Sequence, residues 1–199
     1  MRLPDGSMVT LNANSSVTLS EGWDKNRDRE VWLKGEAFFK VQKKDNKQKF
    51  IVHTDQFDII VTGTQFNVVN RVDKMAVLLH EGSITLKTKD GNEVYLKPGD
   101  YFEFAGSKNE IEKKDVKEVN VLAWKDKKLV FENTTLTELA TILNHHYGVN
   151  VIIADDELKN KPITGILPND NLDILTQALE ATMDFKIQRK ANELIIAKP

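Results

Sequence analysis

Apolar and polar residues alternate along most of the first 111 positions. The runs MVTLN (8–12), SVTLS (16–20), REVWL (29–33), AFFKV (37–41), KFIVH (49–53), FDIIV (57–61), QFNVV (65–69), MAVLL (75–79), SITLK (83–87) and EVYLK (93–97) are rich in Val, Ile, Phe and Thr. Gly, Asn, Asp and Lys clusters separate them. A period of two with this composition predicts short strands, each half-buried on one face. No window of helical length in this half carries a 3.6-residue apolar stripe. The N-terminal half is predicted to be all-β.

The period changes after VLAWKDKKLVFEN (121–133). In TLTELATILNHHYG, Leu136, Leu139, Ala140, Leu143 and Tyr147 fall at helical spacing. Thr135 and Glu138 fit a capping box, in which the hydroxyl accepts an early helix N–H and the carboxylate reaches back. Gly148 stands where a left-handed residue closes a helix. NLDILTQALEAT predicts a second helix with Leu172, Leu175, Ala178 and Leu179 on one face and Asp170 or Asn171 as cap.

An offset of 36 relates the two helices. It carries Leu136 to Leu172, Leu139 to Leu175, Leu143 to Leu179, Tyr147 to Met183, Val149 to Phe185 and Val151 to Ile187. Upstream, Val130 and Phe131 map onto Ile166 and Leu167. The last third therefore reads as two strand–helix–strand copies plus a closing strand, ELIIA. Each copy alone leaves an apolar face wet, and stacking buries both. The expected domains are an all-β domain over residues 1–122 and a small duplicated βαβ-type α/β domain over 123–199, with the linker near 119–127.

Between two β runs in IIVTGTQFNV (59–68) stands Gly63. A phosphate loop would need further glycines or a lysine, then a helix facing the anion. Here one glycine is followed by another strand. Gly35, Gly82 and Gly99 repeat the arrangement in VWLKGEAFF, VLLHEGSITL and VYLKPGDYFEF. Glycine inside a strand pattern marks a bulge, corner or close approach, because it takes positive φ cheaply. The four positions are read as structural corners of a solenoid-like rolled sheet. A cupin-like barrel is the alternative, since LKPGDYFEF contains a Pro-Gly turn of the kind such barrels carry. Its metal site would need clustered ligands, and this half offers only His53 and His80, with Glu81 beside the second.

Composition narrows the function. The chain of 199 residues is 40% hydrophobic and 29% charged, ordinary for a globular protein. A net charge of −2 lacks the basic stripe of a nucleic-acid binder. With no cysteine, disulfides, thiol catalysis and cysteine zinc sites are excluded. No stretch reaches the roughly 18 apolar residues of a membrane span. The opening RLPDGSMVTLN reads as the middle of a β region, so a natural start further upstream is expected.

Other candidates have plainer readings. His145 and His146 are adjacent on a helix, so their side chains diverge by about 100° and cannot share a metal. His146 is expected at the core margin and His145 toward solvent. Asp155, Asp156 and Glu157 read as a solvated turn, and Lys43, Lys44, Lys47 and Lys49 as a solvated hairpin tip. Trp23, Trp32 and Trp124 could form a sugar platform only if exposed together, and packing is expected for each. No catalytic, cofactor-binding or metal-ligating residue is assigned. The reading is a binding module and not an enzyme, with a secreted carbohydrate-binding or cupin-like β protein as the alternative.

In order along the chain, LPDGSMVTLNANSSV, REVWLKGEAFFKV, FIVHTDQFDIIVTGTQFNVV, LLHEGSITL, LKPGDYFEF and AWKDKKLVFENTTLTELATIL resemble the FecR-type anti-sigma factors, particularly those of the Bacteroides group. The resemblance covers nearly the whole chain, and its second half is similar to the secretin and TonB short N-terminal domain. It implies the periplasmic sensor region of a single-pass inner-membrane protein. Such a region reads the occupancy of a TonB-dependent outer-membrane receptor by contact with that receptor's signalling domain. A cytoplasmic helical domain, joined through one membrane span, holds an extracytoplasmic-function sigma factor. Neither the span nor that domain is found here, so sigma-factor contact is expected only through missing parts. PITGIL is the candidate partner-binding edge, with Ile163, Gly165, Ile166 and Leu167, because Pro162 and Gly165 suit an edge better than a sheet centre.

Overall fold

The computed structural model describes residues 1–23, 27–105 and 110–199, and the chain divides into units Met1–Val121 and Leu122–Pro199. In the first unit the strands are β1 (Met8–Leu11), β2 (Ser16–Leu19), β3 (Arg29–Lys40), β4 (Phe50–His53), β5 (Phe57–Val61), β6 (Gln65–Asn70), β7 (Met75–Glu81), β8 (Ile84–Thr88), β9 (Glu93–Leu96), β10 (Tyr101–Ala105) and β11 (Glu110–Lys114). They form one curled sheet in the order β11-β10-β7-β6-β3-β4-β5-β8-β9, with β1 and β2 also on β3.

REVWL and AFFKV, two runs in sequence, are one strand. The first half of β3 pairs with β2 and β4, and the second half, from Gly35 onward, pairs with β6 and, from Ala37, with β1. Gly35 has φ +89°, and a Cβ there would lie 2.8 Å from Ser15 Cα. Both facts demand glycine at the point where β3 leaves one half-sheet for the other.

After β3 the chain runs as four hairpins, β4–β5, β6–β7, β8–β9 and β10–β11. β5 pairs with β8 and β7 with β10, so alternate hairpins share a half-sheet. Gly63, Gly82 and Gly99 stand at the three crossings between them. The result is a rolled sheet built of hairpins, rather than the single-strand turns of a regular coil. Gly63 does not have a positive φ; a Cβ there would lie 2.6 Å from Lys43 Cβ and 3.0 Å from Lys43 Cα. Close approach, not left-handed backbone, selects this glycine. Val31, Leu33, Phe39, Phe50, Phe66 and Leu79 fill the interior, with Phe39 stacked on Phe66 at 5.2 Å. A short helix not predicted from the pattern, α1 (Glu118–Val121), lies against β7.

In the second unit a 3-10 turn (Ala123–Asp126) precedes β12 (Lys128–Thr135), α2 (Leu136–Tyr147), β13 (Asn150–Ile153), β14 (Pro162–Pro168), α3 (Leu172–Thr182), β15 (Lys186–Lys190) and β16 (Glu193–Ala197). β12 and β14 form an antiparallel pair, and a three-stranded sheet runs β13-β16-β15. The capping box is formed: Thr135 accepts the Glu138 N–H, and Glu138 accepts the Thr135 N–H at 2.8 Å. Gly148 closes α2 at φ 67°. Of the two cap candidates for α3, Asn171 is used, accepting from the Asp173 N–H at 2.7 Å. The 36-residue offset carries buried positions onto buried positions: Leu136, Leu139 and Leu143 in α2, Leu172, Leu175 and Leu179 in α3. These six leucines share one core with Phe131, Val149 and Phe185.

Candidate functional site

β14 pairs with β12 alone, so its other edge has no strand beside it among the described residues. Along β14 the candidate residues separate. Ile163 turns into the core at 4% exposure, Leu167 is half-buried against it, and Ile166 projects to solvent at 64% exposure. Ile163 therefore supports the strand from within and is not accessible to a partner, whereas Ile166 and Gly165 are exposed. A bulge between Phe131 and Thr134 distorts the paired strand, where the Asn133 N–H donates to Thr164 Oγ1 at 3.0 Å.

The histidines are held apart. His53, on β4, places Nδ1 2.8 Å from Asp58 Oδ1 and Nε2 3.7 Å from Glu30 Oε2. His80, on β7, contacts Glu118 of α1, while Glu81 contacts Gln65 instead. β4 and β7 belong to different half-sheets, so the two rings do not converge. In α2, His146 Nδ1 is 3.0 Å from Asn169 Nδ2, and both histidines of this helix are half-buried. No group of three or more His, Cys, Asp or Glu able to hold a metal occurs among the described residues.

Trp23 packs edge-on against Phe50 at 5.8 Å, and Trp124 is buried. Trp32 departs from the packing expectation. At 45% exposure it stands on the outer face of β3 and stacks on His53 at 4.9 Å. The cause is register: Val31 and Leu33 take the inward positions, so Trp32 must point out.

The acidic turn is tied by exposed pairs. Asp156 lies 2.6 Å from Lys159, Glu157 2.5 Å from Lys198 Nζ, and Asp155 accepts the Lys198 N–H at 2.8 Å. The segment with Lys43, Lys44, Lys47 and Lys49 is not a hairpin tip: β3 and β4 pair in parallel, so it is a crossover between them. Lys44 is half-buried there and donates to the Asp5 carbonyl at 2.8 Å.

That lysine lines a cleft of about 420 Å³ with Pro4, Trp23, Arg29, Asn46 and Gln48. Its floor is a feature the sequence reading missed. Arg29, 1% exposed, lies 2.6 Å from Asp5 Oδ2, donates to the carbonyls of Gln42 (2.9 Å) and Gln48 (2.7 Å), and lies over the Phe50 ring at 5.4 Å. Burial pushes the Asp5 carboxyl up, but hydrogen bonds from Ser7 and Arg29 outweigh it and hold the group below its ordinary value. Arg29 occupies the inward series that continues at Val31 and Leu33, which is the one signal in the sequence that could have exposed it.

Residues 1–85 match the family model "FecR protein" and residues 128–196 the model "FecR, C-terminal". Two solved structures of a candidate anti-sigma factor from Parabacteroides distasonis superpose on the whole chain. One has a TM-score of 0.83 at 25% identity and the other 0.82 at 26%, each with 93% of its own chain covered. No curated protein matches the chain significantly. The chain belongs to the FecR-type anti-sigma factors, a family of regulators acting in signalling and transcription control.

Proposed function

We propose that these 199 residues are the periplasmic sensor region of a membrane-anchored anti-sigma factor. The region reports occupancy of a TonB-dependent outer-membrane receptor to an extracytoplasmic-function sigma factor held elsewhere in the protein. The paired FecR and FecR C-terminal matches carry this reading. In it, the α/β unit, similar to the secretin and TonB short N-terminal domain, grips the receptor's signalling domain through the open edge of β14. Main-chain hydrogen bonds supply affinity and the projecting Ile166 supplies selectivity. The β unit is the spacer that passes docking toward the membrane.

The test is titration of this chain against purified N-terminal signalling domains of TonB-dependent receptors from the same organism. One domain is expected to bind, and Ile166→Lys is expected to weaken it at least about tenfold with an unchanged circular dichroism spectrum. Ile163→Lys is uninformative, because that side chain is buried. Failure of every signalling domain to bind overturns the receptor; unaltered binding of the Ile166→Lys chain overturns the edge.

A further inference from the structure

The α/β unit has four strands with one open side, and they differ in what they can accept. β12 carries Lys128 and Glu132 and is broken at the Asn133 bulge. β14 starts and ends on proline, at Pro162 and Pro168. β15 presents Lys186, Arg189 and Lys190. Charge and bulges keep an edge from pairing, and the terminal prolines of β14 leave only its middle, the stretch given above to the receptor, able to pair. β13 has none of them: it reads Asn150, Val151, Ile152, Ile153.

The ladder of β13 is set. The Asn150 N–H donates to the Asn192 carbonyl and the Ala154 N–H to the Ile196 carbonyl, each at 2.9 Å, within a parallel pairing to β16. Bonds in a parallel ladder come from alternate residues, so the peptide groups of Val151 and Ile153 face the open side. They form no hydrogen bond among the described residues. The side chain of Ile152, 40% exposed, stands on the outer face, in register with Ile195.

We propose that β13 is a self-association edge, at which two copies of this chain pair antiparallel about a two-fold axis at Ile152. Val151 of one copy then exchanges both main-chain hydrogen bonds with Ile153 of the other, and the reciprocal pair does the same. Ile152 faces its own symmetry mate as a non-hydrogen-bonded pair, the arrangement that brings side chains closest. The outer row becomes Ile195–Ile152–Ile152–Ile195, apolar across the seam. The flanking row reads Lys190, Glu193, Asn150 on one side and Ala154, Ala197, Lys186 on the other, so no like charges meet. A two-fold axis needs a self-complementary surface. Two copies of β15 would set a basic strand against a basic strand. The contact is small and the association correspondingly weak, below the area of a standard interface.

Sedimentation equilibrium of the 199-residue chain over a range of concentrations tests this. A reversible monomer–dimer equilibrium is expected. Ile152→Lys and Ile152→Glu, at an exposed side chain, should each weaken it at least about tenfold with unchanged thermal melting. Mixing the two variants should restore dimer, since opposite charges then meet at the axis. A chain that stays monomeric at every concentration overturns the proposal. So does a dimer that Ile152→Lys leaves intact, or two variants that fail to rescue one another.

Discussion

Arg29 Nη1 lies 2.6 Å from Asp5 Oδ2, and the two side chains are 1% and 6% exposed. This ion pair fastens the segment before β1 to the start of β3, 24 residues later. Its surroundings satisfy both ions: Ser7 donates its N–H and hydroxyl to Asp5, and carbonyls of Gln42 and Gln48 accept from Arg29. Removing one partner leaves the other charge buried. Asp5→Ala is expected to destabilise the β unit by about 3–5 kcal/mol, read by urea denaturation. Replacing both residues by apolar ones of similar volume should cost much less than that single change.

The same carboxylate makes stability depend on acid. Its folded pKa lies below the ordinary 3.8, so its contribution is fully present above that value and is lost as pH falls through the lower folded pKa. A carboxylate with the same pKa folded and unfolded contributes no pH dependence, so the stability of the native chain should fall more steeply as pH drops below 3.8 than unshifted carboxylates alone give. In Asp5→Asn, this part of the pH dependence should vanish. Intrinsic fluorescence of Trp23, beside the pair, reads the transition.

Gly35 and Gly99 have nearly the same φ, +89° and +87°, yet only Gly35 is crowded; a Cβ on Gly99 would meet nothing within 4 Å. Gly99→Ala should cost only the left-handed backbone, about 1–2 kcal/mol. Gly35→Ala adds a clash with the Ser15 backbone and should cost distinctly more. Thermal unfolding of the two variants side by side checks the order.

Leu139 and Leu175 are both 0% exposed and lie one 36-residue offset apart. Each leucine-to-alanine change should cost about 2–5 kcal/mol, and the two losses should be alike if the two halves are equivalent in packing. Unequal losses in chemical denaturation would mean that one half of the α/β unit carries more of the core.

Much of the architecture was legible because it is written locally. Alternation placed every strand from β1 to β9, and the leucine spacing placed α2 and α3 with caps at Thr135 and Gly148, while the choice between Asp170 and Asn171 fell to the structure. The four corner glycines were visible too, but not the reason for each. Gly63 is required by Lys43, 20 residues back, and no local rule names that neighbour. Among the candidate contacts, Ile163 and Ile166 look alike in sequence; the strand's register turns one inward and the other out.

By itself the sequence determined where strands β1 to β9 and helices α2 and α3 run, which of their faces are apolar, and that no cysteine chemistry is possible, because periodicity and composition act over a few residues. The tertiary structure alone decided that two strand runs are one β3, that Arg29 is buried on Asp5 while Trp32 is exposed, and which edges remain open. Those outcomes depend on partners many residues away. A charge can be buried only where a distant fold element brings its counter-ion, and a strand is an edge only once every other strand has found its place.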